Sequence, residues 1–117
     1  MATMLPVNVK CSADECRRTV EVARDLHPIV GDPSAVAHRA RVFQALGNET
    51  RLQILGLLSV REMCVCNIVA ALGAASSTLA HHLRMLEEAG LISAKQEGKF
   101  TLYTVDEALL QEHRVFD

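Results

Sequence analysis

The sequence predicts a mainly α-helical fold closed by a small β-hairpin, on three observations. Half of the 117 residues are apolar, yet only 3% are aromatic and Trp is absent. A core of Leu, Val, Ile and Ala suits packed helices better than a β-sandwich. Apolar residues recur at helical spacing from residue 12 to residue 90, the signature of amphipathic helices. Beyond Gly90 the period changes to two strand-like runs flanking Glu97-Gly98-Lys99, which reads as a hairpin. A chain of this length holds one domain with a short appended arm. It also exposes so much surface that a homodimer sharing one core is expected.

The elements follow in order. Residues 1–11 contain Pro6 and no periodicity, and read as an arm. Ser12-Ala13-Asp14-Glu15 is a capping-box pattern, with Ser12 as N-cap and Glu15 reaching back. Val20, Val22, Ala23 and Leu26 supply the stripe of the helix that follows, which must end before Pro28. Gly31-Asp32-Pro33 is a break, and a helix over 34–46 puts Val36, Ala40, Phe43 and Leu46 on one face. Asn48 caps a third helix that is apolar almost throughout and should therefore be buried. A short helix over 66–72 ends at Gly73, and a helix over 76–89 carries Leu79, Leu83 and Leu86 inward. Strands over 91–96 and 100–105 precede a last helix capped by Asp106. Residues 1–33 are thus expected to form an arm and first helix, and residues 34–117 a second region.

A short helix, a tight turn at Gly73, a second helix and then a hairpin is the order of a winged helix-turn-helix. Such a unit lays its second helix in the major groove of double-stranded DNA. The candidate DNA-facing residues are Ser76, Ser77, Thr78, His81 and Arg84 on that helix, with Lys95 and Lys99 on the hairpin. Hydroxyls and an imidazole bond to base edges or phosphates, and cations meet phosphate. The net charge of −2 runs against the basic bias of most DNA-binding modules, so any DNA contact must rest on local cations. A solvated helix beside an ordinary hairpin is the simpler reading of the same residues. No apolar run nears the ~20 residues of a membrane helix, and the start shows no basic segment followed by a long apolar core. A cytoplasmic, membrane-free location is expected. No phosphate-binding glycine loop, nucleophile elbow or metalloprotease helix is present, so an enzyme is not expected.

Three stretches carry a resemblance: Asn48-Glu49-Thr50-Arg51-Leu52-Gln53-Ile54-Leu55, Cys64-Val65-Cys66-Asn67-Ile68 and residues 77–92, with Glu97-Gly98-Lys99 behind them. Together, over roughly residues 38–105, they resemble the ArsR/SmtB family of metal-sensing repressors. The resemblance implies a homodimeric winged helix-turn-helix repressor that binds an inverted-repeat operator and is released by its inducer. The family usually has Ser or Thr where this chain has Ala75, and Ser where it has Ala80; Ser76 is expected to cap instead.

The four cysteines are the candidate metal ligands, in two close pairs. Cys64 and Cys66 would point about 200° apart within one regular helix, so convergence requires Cys64 to lie outside it or the first turn to distort. A helix N-terminus there favours thiolate, the form that binds metal. Cys11 and Cys16 fall at N′ and N4 of the first capping box, the two positions that touch in a hydrophobic staple. Joined, the pairs offer three or four sulfurs to a soft ion: cadmium, lead, zinc, or trivalent arsenic or antimony. By the resemblance, Cys64-x-Cys66 is similar to the cysteines of arsenic and cadmium/lead sensors, and the arm pair to those of the cadmium/lead type, where the arm crosses between subunits. Two other readings use the same residues: small buried hydrophobes, or a thiol-disulfide protein without metal, either a redox-responsive DNA-binding regulator in which Cys11 and Cys16 form a disulfide or an oxidoreductase at Cys64-x-Cys66. Neighbouring His81 and His82 diverge on a helix, with His81 outward and His82 turned towards packing. The resemblance also points to a second metal site on the last helix, but here Asp106 and His113 stand without its His-x-x-Glu half.

Overall fold

The computed structural model describes residues 12–117. The chain falls into two units, Met1–Arg39 and Ala40–Asp117. In the first, α1 spans Ala13–Leu26. Ser12 Oγ accepts from the Glu15 amide at 3.1 Å, and the Glu15 carboxylate accepts from the Ser12 amide at 3.4 Å. The capping box therefore starts the helix where the sequence placed it. α1 stops ahead of Pro28, and a 3-10 turn follows over Pro28–Gly31.

Helix α2 spans Pro33–Leu46. Asp32 Oδ1 accepts from the amides of Ser34 and Ala35, both at 3.1 Å, and a proline is well suited to the first helical position. Of the expected face of α2, only Leu46 packs against the core. Val36 and Phe43 are 42% and 54% exposed, whereas Val42 and Ala45 are in the core. The helix has two apolar sides, and the packing of the second unit selects the one that its own sequence does not mark.

In the second unit, Asn48 Oδ1 accepts from the Arg51 amide at 3.1 Å and starts α3, Glu49–Val60. Ile54, Leu55 and Leu58 are buried as expected, but Val60 at the helix end is 81% exposed. α4 spans Val65–Leu72 and closes on Gly73 at φ +69°, the left-handed conformation that glycine adopts without strain. α5 spans Ser76–Glu88 and buries Leu79, Leu83 and Leu86 against Ile54, Leu55, Ile68 and Leu91. Its N-cap is Ala75, with no side-chain hydrogen bond. Ser76 is already the first helical residue, which corrects its expected capping role.

A short strand that periodicity did not reveal, β1 (Met63–Cys64), joins the hairpin of β2 (Ile92–Glu97) and β3 (Phe100–Val105). The antiparallel order is β1-β3-β2. Glu97 pairs with Phe100 across a turn led by Gly98 at φ +61°. α6, Glu107–Glu112, starts where Asp106 Oδ1 accepts from the Leu109 amide at 3.2 Å. The unit is a winged helix-turn-helix, with α4 and α5 as its two helices and β2–β3 as its wing. Among the described residues, no helix is long and apolar enough to cross a membrane.

Candidate functional site

Cys64 occupies the N-cap of α4 with extended backbone (φ −87°, ψ 167°), just outside the helix, while Cys66 lies in its first turn. This is one of the two departures from helical geometry that allow convergence. The two Sγ atoms are 2.7 Å apart. Cys64 is buried at 8% exposure and Cys66 is exposed, so the pair has one side in the protein and one open. Asn67 fixes the first sulfur: its Oδ1 accepts from the Cys64 amide at 3.3 Å and lies 3.1 Å from Cys64 Sγ.

The two thiols ionise unequally. Cys66 donating its S–H, and then the Asn67 backbone N–H, hold the Cys64 thiol below its ordinary value. Cys66 is pushed up, first because it gives that hydrogen bond and then by burial and the charge on Cys64. The helix-start advantage therefore goes to Cys64, and Cys66 follows only when something compensates the second charge.

Two features tie this dithiol to the rest of the unit. Cys64 is paired with Leu102 in the β1–β3 ladder, so its backbone belongs to the same sheet as the wing. Beside the sulfurs lies an open cleft of about 310 Å³, lined by Cys64, Cys66, Asn67, Glu97, Phe100 and Leu102. The pair fits the donor set of a soft ion as two thiolates on one open face. Among the described residues, no group of three or more His, Cys, Asp or Glu side chains is close enough to hold a metal. Of the other predicted pair, Cys16 is exposed on the first turns of α1 and Cys11 lies outside the described residues.

The predicted DNA-facing side chains Ser76, Ser77, Thr78, His81 and Arg84 are all exposed on α5, with Lys99 exposed at the wing tip. Lys95 is exposed too, but its ammonium pairs with Glu62 at 3.3 Å. That carboxylate offsets the charge of one of the two wing cations expected to face DNA.

Sequence reasoning missed Arg51, which is 7% exposed and makes four contacts. Its Nε donates to the Ala45 carbonyl at 2.8 Å and its Nη2 to that of Gln44 at 3.1 Å. Its Nη1 lies 3.1 Å from His82 Nδ1 and 3.4 Å from Met85 Sδ. One guanidinium thus closes the end of α2 and grips α5. Burial first, then the charges of Arg51 and His81, lower the His82 pKa. The neutral ring then accepts at Nδ1, and the inward placement predicted for His82 is the observed one. A charged residue four positions from the core leucine Leu55 offered the only signal, and its spacing resembles a surface position. His113 has Nδ1 3.0 Å from the Leu109 carbonyl and packs edge-on against Phe43 at 5.5 Å.

Comparison with known proteins agrees with this architecture. Residues 48–94 match the family described as "Bacterial regulatory protein, arsR family". The chain is 38% identical over 69 residues to a cadmium resistance transcriptional regulatory protein of Staphylococcus aureus, covering 58% of this chain and 57% of that one. The chain therefore spans little more than half the length of that relative. It is 30% identical over 71 residues to an arsenical resistance operon repressor of Staphylococcus aureus, covering 61% and 68% of the two chains. Among solved structures, it is similar to a homodimeric winged helix-turn-helix DNA-binding domain of Mycobacterium bovis (34% identity, TM-score 0.65, covering 72% of this chain and 81% of that one). Fold, family match and relatives agree: the chain belongs to the ArsR family of bacterial regulatory proteins.

Proposed function

We propose that this chain is a metal-responsive transcriptional repressor, which binds operator DNA as a homodimer when metal-free and leaves it when its cysteines hold a soft metal or metalloid ion. The observation that carries the reading is the 2.7 Å approach of Cys64 and Cys66 at the entry to the helix-turn-helix. Cadmium, lead, zinc and trivalent arsenic or antimony all favour such sulfur donors. The relatives' names, cadmium resistance regulator and arsenical resistance repressor, point the same way.

In this reading Cys64 and Cys66 supply two thiolates, and Cys11 and Cys16 from the arm supply the remainder. Residues 1–33 act as the arm and residues 34–117 as the DNA-binding region. α5 reads an inverted repeat through Ser76, Ser77, Thr78 and His81, while Arg84, Lys95 and Lys99 meet phosphate. Because Cys64 pairs with Leu102 of the wing, drawing the sulfurs to an ion strains both α4 and β3. A coupling of ~1–3 kcal/mol between the two sites makes such a switch useful.

A second reading uses the same sulfur contact: oxidation of Cys64 and Cys66 to a disulfide, without metal, as the signal. One anaerobic titration separates the two. Thiolate-to-metal charge-transfer absorption with cadmium, lead or arsenite that disappears in Cys64→Ser supports the metal reading. An unchanged spectrum contradicts it.

A further inference from the structure

The buried leucines of α5 leave one of its motions unfixed. We propose that Arg51 and His82 are positioning residues for DNA binding: the guanidinium fixes how α5 is rolled about its axis, and a proton on His82 releases it. This rests on the reading of α5 as the DNA-facing helix and on no cysteine.

The first observation is what holds α5. Leu79, Leu83 and Leu86 are buried on its inner face, and apolar burial has no direction. It sets how deep the helix sits and resists small rolls weakly. The helix start adds no restraint of its own, because the N-cap is Ala75, with no side-chain hydrogen bond. The directional contact comes from the flank. Arg51 Nη1 lies 3.1 Å from His82 Nδ1 and 3.4 Å from Met85 Sδ, two neighbours on one side of the helix. His82 follows His81 directly and lies one turn beyond Thr78. The restraint therefore acts on the turn that carries two of the candidate base-facing side chains.

The second observation is what anchors the guanidinium. Its Nε and Nη2 donate to the carbonyls of Ala45 and Gln44 at 2.8 and 3.1 Å. These are among the last carbonyls of α2, which no helical amide satisfies. All three nitrogens of the planar fork are thus engaged, which leaves it little freedom, and the whole contact lies within the second unit.

The third observation is that the link has a chemical release. A neutral ring accepts at Nδ1, whereas a protonated ring only donates and sets a second cation against Arg51. The charged or titratable groups acting on His82 are Arg51 from α3 and His81 from its own helix, with the two rings 5.6 Å apart. The end of α2 meets the guanidinium through carbonyls alone. Neither partner of His82 supplies a negative charge that would hold an imidazolium in place. Proton uptake and the DNA-reading orientation of α5 therefore oppose each other, and by linkage acid weakens specific binding.

The test is fluorescence anisotropy of the reduced, metal-free full-length chain between about pH 8 and pH 5, at values where circular dichroism shows the fold unchanged. Two duplexes serve as probes: one selected by the metal-free protein from a random pool, and one unrelated. His82→Gln keeps an acceptor that does not titrate, and His82→Leu removes the acceptor; both leave Arg51 its bonds to α2. Every other titrating group is common to the three proteins, so the ratio of wild type to His82→Gln reports His82. The two should bind the selected duplex equally near pH 8, with wild type falling about tenfold behind by pH 5, the worth of one hydrogen bond to a charged group. His82→Leu should be about tenfold weaker at both ends. Affinity for the unrelated duplex, which rests on cations, should be the same in all three. A histidine that only stabilised the fold would leave these ratios flat. A ratio that does not change with pH, or His82→Leu binding the selected duplex as tightly as wild type, overturns the proposal. Wild type holding both duplexes equally near pH 8 overturns the DNA reading of α5, and this proposal with it.

Discussion

The guanidinium of Arg51 lies 3.1 Å from Nδ1 of His82, joining the α2–α3 corner to α5 through one buried charge. The same side chain occupies two carbonyls at the end of α2, so its removal strands polar groups on both sides. Arg51→Met is expected to lower stability by about 3 kcal/mol, since unpaired buried partners of a charged donor are left behind. Arg51→Lys should recover little, because an ammonium cannot reproduce the planar fork. Urea denaturation followed by circular dichroism measures both.

His82 gives the fold a pH dependence with a defined sign. Its folded pKa is lowered by burial first, then by Arg51 and His81, so the unfolded chain binds the proton more readily. The stabilisation is fully present above the ordinary imidazole value near 6.5 and is lost as pH falls below it towards the folded value. His82→Gln keeps an acceptor for Arg51 but does not titrate. Wild type should lose denaturant resistance on acidification through this window, and the variant should lose measurably less.

Asn67 is the hinge between helix start and thiol. Its side chain accepts from the Cys64 amide, so Asn67→Ala should cost about 1 kcal/mol, the usual worth of a cap. Because Oδ1 also lies 3.1 Å from Cys64 Sγ, the variant should react faster with a maleimide at Cys64. A loss of stability with unchanged thiol reactivity would separate the two roles.

The cations on α5 and the wing should contribute unequally to DNA binding. Arg84→Ala and Lys99→Ala are each expected to weaken binding across sequences and to reduce the salt slope by about one. Lys95→Ala should do less, because Glu62 pairs with Lys95. Fluorescence anisotropy on a duplex selected by the metal-free protein from a random pool, read at several salt concentrations, measures this.

Much of this architecture was written in local chemistry. Ser12, Asn48 and Asp106 cap their helices because short polar side chains at those positions satisfy otherwise unpaired amides. Gly73 and Gly98 mark turns because few other residues accept positive φ. The angular step of a helix left two ways for the sulfurs to converge, and Cys64 takes the one outside α4. What the sequence hid depends on tertiary contact. β1 is two residues long and exists only because β3 pairs with it. The buried side of α2 is chosen by its neighbours, and Arg51 looks like a surface residue until the end of α2 and His82 close around it. The apolar cleft needs Phe100 and Leu102 brought from the wing to residues some 35 positions earlier, a pairing no local pattern encodes.

The central claim is that the Cys64/Cys66 dithiol controls DNA binding. The most direct measurement is the affinity of the reduced chain for its selected duplex, with and without one equivalent of cadmium or arsenite per subunit, in wild type and Cys64→Ser under anaerobic conditions. The ion is expected to weaken wild-type binding by at least about fivefold, the low end of useful coupling, and to leave the affinity of the Cys64→Ser variant unchanged. Equal affinity with and without ion in wild type, or the same loss in Cys64→Ser, would contradict that control.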